Sequence, residues 1–174
     1  PIMDCATETI TGAEALMRFT MDSEEGPEVI SPIEFIPLLE ETGLIIPAGK
    51  FVLKEAAKMC REIQRFIPNF QMNINVSYAQ ITGGNVEDDI IETIKEHALD
   101  PANICVEMTE SRLIDMTIPF IRFRHKLKDS RIRFAIDDFG TGYSNLHCIN
   151  DIKPDYIKID RDFTAKAMNG QRDY

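Results

Sequence analysis

The chain has 174 residues, 44% of them hydrophobic, enough to enclose the core of one domain. A formal net charge of −10 excludes a nucleic-acid polymer or an anionic membrane surface as the natural partner. No apolar run approaches the ~20 residues of a membrane span, the N-terminus lacks the pattern of a signal peptide, and four scattered cysteines without a CxxC pair read as reduced thiols of a cytoplasmic domain.

In chain order, GAEALMRF at 12–19 is the first predicted strand. The run SPIEFIPLLEETG then supplies Ser31 as N-cap, Pro32 at the first helical position, Glu34 to complete a capping box and Gly43 as a stop. Pro37 falls inside this helix and predicts a kink. Helical periodicity covers 50–66 and stops before Pro68. A strand at 70–77 follows, then an amphipathic helix at 86–99, a strand at 103–111 and a helix at 118–129. The pattern continues with a strand at 132–139, a short helix around YSNLHCIND, a strand at 155–160 and the start of a helix near RDFTAKAM. No repeat or linker divides the sequence. Strands alternating with helices of this length predict parallel βα units, hence an α/β fold in a single domain.

Side chains alternate between the two faces of a strand. Met72, Ile74 and Val76 share one face, with Asn73, Asn75 and Ser77 on the other. Ile104, Val106 and Met108 stand opposite Cys105, Glu107 and Thr109, and Lys158 stands opposite Ile157 and Ile159. Glu14, Leu16 and Arg18 share a face of the first strand. The parallel strands therefore end in Asn75, Glu107, the adjacent Asp137 and Asp138, and Lys158. Strands covered by helices are nearly all apolar, whereas a βα barrel gathers catalytic groups at its C-terminal strand ends. Neighbouring carboxylates are costly to desolvate unless something pairs them. Carboxylates with an amide oxygen, and no histidine or thiolate among them, suit Mg2+ or Mn2+ rather than zinc. Two such cations would let an acidic protein hold a phosphodiester. His97, His125 and His147 have no metal-ligand spacing.

Plainer readings of the same residues stand beside this one. Glu14 alone fits a solvated strand end, and Arg18 can pair with it. Asn75 can cap the following helix, Lys158 can be a rim lysine, and the glycines of GTG at 140–142 serve a turn better than a phosphate cradle.

EALMR at 14–18, FIPLLEETGLI, NINVSYAQI, VEMTES, DDFGTGYSNL and DYIKIDRDF, in this order and over nearly the whole chain, resemble the EAL-domain family of bacterial cyclic di-GMP phosphodiesterases. The resemblance implies a modified TIM barrel whose first strand runs antiparallel to the rest. It also implies hydrolysis of cyclic di-GMP to linear pGpG with two Mg2+ or Mn2+ ions. On the family pattern the metal ligands are Glu14, Asn75, Glu107, Asp137 and Asp138, and Arg18 grips a substrate phosphate. Lys158 and Asp138 take catalytic roles, the lysine holding the attacking water and offsetting developing charge. Glu110 positions the DFGTGYS loop, through which family members dimerise. All of these positions are intact here.

At 174 residues the sequence falls short of the ~250 of a full TIM barrel. The expectation is therefore about six of eight strands, an EAL domain incomplete at its C-terminus. The last two βα units, with the glutamate of an EGVE-like motif and a later glutamine, fall beyond it, and Pro1 corresponds to the proline of a clipped QP pair. Exposed barrel edges predict a homodimer, through the DFGTGYS loop or by strand exchange. Catalysis is expected of the parent domain, with fused sensor or cyclase domains and membrane tethering of the parent both open. The alternative function is a non-catalytic cyclic di-GMP receptor or a regulatory dimerisation module.

Overall fold

Apolar residues alternate with polar ones in the strands and recur every three to four residues in the helices, and the elements follow that pattern. The structure, a computed structural model, describes residues 1–23, 26–110, 117–140 and 146–168. It opens with β1 (Ile2–Asp4), β2 (Thr9–Ala15), β3 (Phe19–Ser23), β4 (Gly26–Ile30), α1 (Pro32–Thr42) and α2 (Ile45–Ile63). Next come β5 (Gln71–Asn75), α3 (Tyr78–Gly83), α4 (Val86–Glu96), β6 (Ile104–Thr109) and α5 (Ile118–Asp129). β7 (Arg133–Phe139), α6 (Leu146–Ile152), β8 (Tyr156–Ile159) and α7 (Arg161–Met168) complete it.

Six strands form one sheet in the order β1-β2-β5-β6-β7-β8, and β3 and β4 pair separately as a hairpin. β1 runs antiparallel to β2, and every other neighbouring pair in the large sheet is parallel. The expected antiparallel first strand is thus present, but it is β1, which precedes the segment at 12–19. The strand of that segment, β2, is parallel to β5 and ends at Ala15. Asp4 makes the turn between β1 and β2: its Oδ1 accepts the N–H groups of Ala6 at 2.9 Å and Thr7 at 2.8 Å. With helices on its outer face, the sheet is the six-strand part of a TIM barrel. Among the described residues no helix is long and apolar enough to cross a membrane.

The core lies between the sheet and its helices. On α2, Leu53, Ala56, Ala57 and Cys60 are buried at i, i+3, i+4 and i+7. Phe120, Phe123 and Leu127 of α5 are fully buried with Phe134 of β7. The outward residues of the central strands, Met72, Ile74, Ile104, Val106, Met108, Phe134 and Ile136, join this cluster. The opposite face of the same strands is polar. Register pairs Glu14 with Asn73, Asn75 with Glu107, Cys105 with Arg133, and Thr109 with Asp137, so these side chains share the barrel interior.

Local expectations are met unevenly. Gly43 ends α1 in the left-handed conformation, φ 74°, and its N–H bonds the Glu40 carbonyl. The capping box at Ser31 and Glu34 does not form: the Ser31 side chain makes no capping bond, although its backbone carbonyl accepts the Glu34 N–H at 2.9 Å. α1 continues through Pro37. α2 begins at Ile45 rather than residue 50, because Pro47 falls in its first turn, where a missing N–H is harmless. The hairpin of β3 and β4, the strand β1 and the helix α3 are additions to the sequence reading.

Candidate functional site

The five parallel strands each contribute a polar side chain to the barrel interior at their ends: Glu14 from β2, Asn75 from β5, Glu107 from β6, Asp137 from β7 and Lys158 from β8. The Lys158 ammonium lies 3.2 Å from Glu14 Oε2, 2.8 Å from Glu107 Oε2 and 2.9 Å from Asp137 Oδ2. Oxygens of Glu14, Glu107 and Asp137 all lie within 4.8 Å of one another. Asn75 donates to Glu14 Oε1 at 2.7 Å, and Asn73, 4% exposed, donates to Glu107 Oε1 at 2.6 Å.

Glu107 has no exposed surface. Burial pushes its carboxyl above the usual carboxylate range, opposed by hydrogen bonds from Lys158 and Asn73. Burial alone would lower Lys158, but its hydrogen bonds to Glu107 and Asp137 outweigh that and hold the ammonium well above its ordinary value. Three carboxylates against one ammonium leave an excess of two negative charges in a half-buried space. Oxygen donors that converge on one point with net negative charge fit a divalent metal ion, and no soft ligand in the set favours zinc. The cluster can therefore hold such an ion.

Asp138 takes a different position from its neighbour. It is exposed, sits at φ 53°, and its N–H donates to Asp137 Oδ1 at 2.9 Å. The register shift between Ile136 and Phe139 re-aims the strand end here, and Asp138 is not one of the three convergent acids. Burial, then Asp137 and Asp160, push its carboxyl up.

Glu110 Oε2 accepts the N–H of Gly140 at 2.8 Å, with Gly140 at φ 102°. It thus anchors the first glycine of DFGTGYS, whose residues from Thr141 on lie outside the described residues. Arg18 is exposed and donates to the Met17 carbonyl at 3.0 Å. It lines a cavity of about 460 Å³ together with Ile36, Val52, Tyr78, Asn75 and Glu107, so the cavity runs from the arginine to the acidic cluster. Apolar walls with a few polar groups at one end suit a small organic ligand.

Two alternatives close here. Ser77, not Asn75, caps α3, in a capping box with Gln80. Glu14 pairs with Lys158 and Asn75 rather than with Arg18. Sequence reasoning missed Asn73, and behind it Gln71, Arg133 and Tyr156. Strand parity placed Asn73 on the same face as Asn75, which was the available signal.

The sequence profile of the EAL domain matches residues 1–174. The probable cyclic di-GMP phosphodiesterase PdeI of Escherichia coli K12 is 36% identical over 168 residues, which cover 95% of this chain and 21% of PdeI. The cyclic di-GMP phosphodiesterase PdeL of the same organism is 31% identical over 170 residues, covering 96% of this chain and 46% of PdeL. The chain thus spans about a fifth of one relative and under half of the other. The solved structure of the PaMucR phosphodiesterase in complex with c-di-GMP superposes with a TM-score of 0.81 at 31% identity, over 91% of this chain and 63% of that one. With its whole length matched and its strand-end acids gathered at one rim, the chain belongs to the EAL-domain family.

Proposed function

We propose that the chain is the metal-binding part of a phosphodiesterase that hydrolyses cyclic di-GMP to linear pGpG in bacterial second-messenger signalling. The convergence of Glu14, Glu107 and Asp137 around a single point carries this reading, and the relatives named for that activity support it. In this reading Glu14, Asn75, Glu107 and Asp137 hold Mg2+ or Mn2+, and Asp138 serves a second ion. Such ions, when bound, lower the pKa of a water and neutralise charge on the phosphoryl oxygens.

The chain's own residues do the rest. Lys158, which only donates, holds the oxygen of the attacking water and offsets charge developing on the phosphate. Arg18, at the far side of the cavity, grips a substrate phosphate with a planar fork of donors. Glu110 fixes the approach to the DFGTGYS loop through Gly140, and a homodimer through that loop belongs to the same proposal. The six strands of the large sheet belong to one cytoplasmic EAL domain in this reading.

Incubation of the parent protein with cyclic di-GMP and Mn2+, followed by separation of products, tests the reading. We expect pGpG, and a loss of about 100-fold or more in Asp137→Asn with an unchanged circular dichroism spectrum. Equal pGpG production by that variant refutes the assignment. Tight binding without product makes the chain a receptor, a role that the cavity beside Arg18 would serve without chemistry.

A further inference from the structure

Beneath the acidic cluster, the barrel interior holds a continuous polar chain. Arg133 Nη1 donates to Gln71 Oε1 at 2.5 Å and to the Tyr156 hydroxyl at 2.6 Å, and that hydroxyl donates to Gln71 Oε1 at 3.1 Å. Gln71 Nε2 donates to Asn73 Oδ1 at 2.7 Å, and Asn73 Nδ2 donates to Glu107 Oε1 at 2.6 Å.

The two ends of this chain set its direction. A guanidinium has donors only, and an ionised carboxylate has acceptors only. Gln71 must therefore turn its oxygen to Arg133, which leaves its NH2 for the Asn73 oxygen and the Asn73 NH2 for Glu107. Neither amide can rotate by half a turn without setting oxygen against oxygen at one end. The result is that Glu107 Oε1 is always met by a donor, while Oε2 is directed to the cluster shared with Glu14, Asp137 and Lys158. Glu107 has no exposed surface and Asn73 is 4% exposed, so water does not substitute for a lost link at that end.

We propose that Arg133, acting through Gln71 and Asn73, is a positioning residue that fixes the orientation of Glu107 at the ion site. The proposal rests on the reading of that cluster as an ion site. It does not depend on which nucleotide, if any, is cleaved. Outer-shell partners of this kind typically change metal affinity by about 10–100-fold.

The test measures Mn2+ binding alone, by electron paramagnetic resonance of free Mn2+, with no nucleotide present. Asn73→Leu keeps the side-chain branching and heavy-atom count and removes the last link; affinity should fall at least about tenfold. Arg133→Met should weaken binding about threefold or more, and Arg133→Lys, which still only donates, should stay within about twofold of wild type. The deciding variant is the double one. If Arg133 acts through the amides, Arg133→Met in the Asn73→Leu background changes the affinity no further. A purely structural role would lower the unfolding midpoint of each variant and leave these ratios flat.

Unchanged affinity in Asn73→Leu overturns the proposal, as does a full additional loss from Arg133→Met in the double variant. Absence of Mn2+ binding by the wild type overturns it together with the ion-site reading. Wild-type hydrolysis of cyclic di-GMP is measured separately. Losses of affinity without any hydrolysis by wild type keep the positioning role and remove the phosphodiesterase, while hydrolysis with flat affinities does the reverse.

Discussion

β5, β6 and β7 differ sharply from the separate β3–β4 hairpin and from β8 beside them. In β6 all residues but Thr109 are buried, whereas all five residues of β3 are exposed, and β8 exposes three of its four. The central strands lie under α2, α4 and α5, and their inward polar groups pair with one another. The β3–β4 hairpin leaves Phe19 and Val29 at 48% and 67% exposure. Among the strands, burial of apolar area, the main source of folding free energy, is therefore concentrated in β5, β6 and β7. The candidate site is not. Glu107 and Asp137 come from the centre, Glu14 and Lys158 from the flanks, and the 3.2 Å contact of Glu14 with Lys158 joins β2 to β8 across the curl of the sheet. The site is the seam between a strongly held centre and weakly held margins.

The largest effect that tests this contrast is expected at Phe134. It is fully buried, its ring meets Phe120 edge-on at 6.3 Å, and the Arg124 guanidinium stacks 4.9 Å from its centre. Phe134→Ala removes both contacts and leaves a cavity, for a loss of about 3–5 kcal/mol in urea unfolding. A loss below about 1 kcal/mol would mean that stability is spread evenly, and the contrast would fail.

A smaller effect is expected at the boundary itself. Gly12 of β2 faces Gln71 of β5 in register, and a Cβ there would lie 2.6 Å from the Gln71 carbonyl oxygen and 3.3 Å from its Cβ. Backbone cannot yield as a side-chain tip does. Gly12→Ala should destabilise by about 1–3 kcal/mol in the same measurement. An unchanged midpoint would show that β2 moves freely against β5, so that the centre ends at β5.

How much of this was legible in the sequence follows the same division. The βα alternation, the helix at 118–129 and the inward parity of Asn75, Glu107 and Lys158 were readable because burial on one face imposes a period on the chain. β3 and β4 bury almost nothing, so no such period marked them. The Ser31 capping box failed for a related reason: the motif is local, and Ser31 found its bond through the backbone alone. The inner relay was legible only in half. Asn73 lay on the correct face, yet nothing in the sequence shows that Gln71 and Arg133, 62 residues apart, become partners across the strands. That pairing depends on the shift of one strand against the next, which parity does not fix.

The smallest effect is expected at the β8 margin, and there a small value is the informative one. Ile159 is 60% exposed and has Phe139 of β7 as its register partner, on the face opposite Lys158. If β8 is held chiefly by its backbone bonds to β7 and by Lys158, then Ile159→Lys exchanges one exposed side chain for another. Stability should change by no more than about 0.5 kcal/mol, and sedimentation should give the same mass as for wild type. A loss above about 2 kcal/mol, or a fall in mass, would mean that a second copy covers this face in solution. The margin would then be an interface, and Lys158 would reach the acidic cluster from a strand as firmly held as those at the centre.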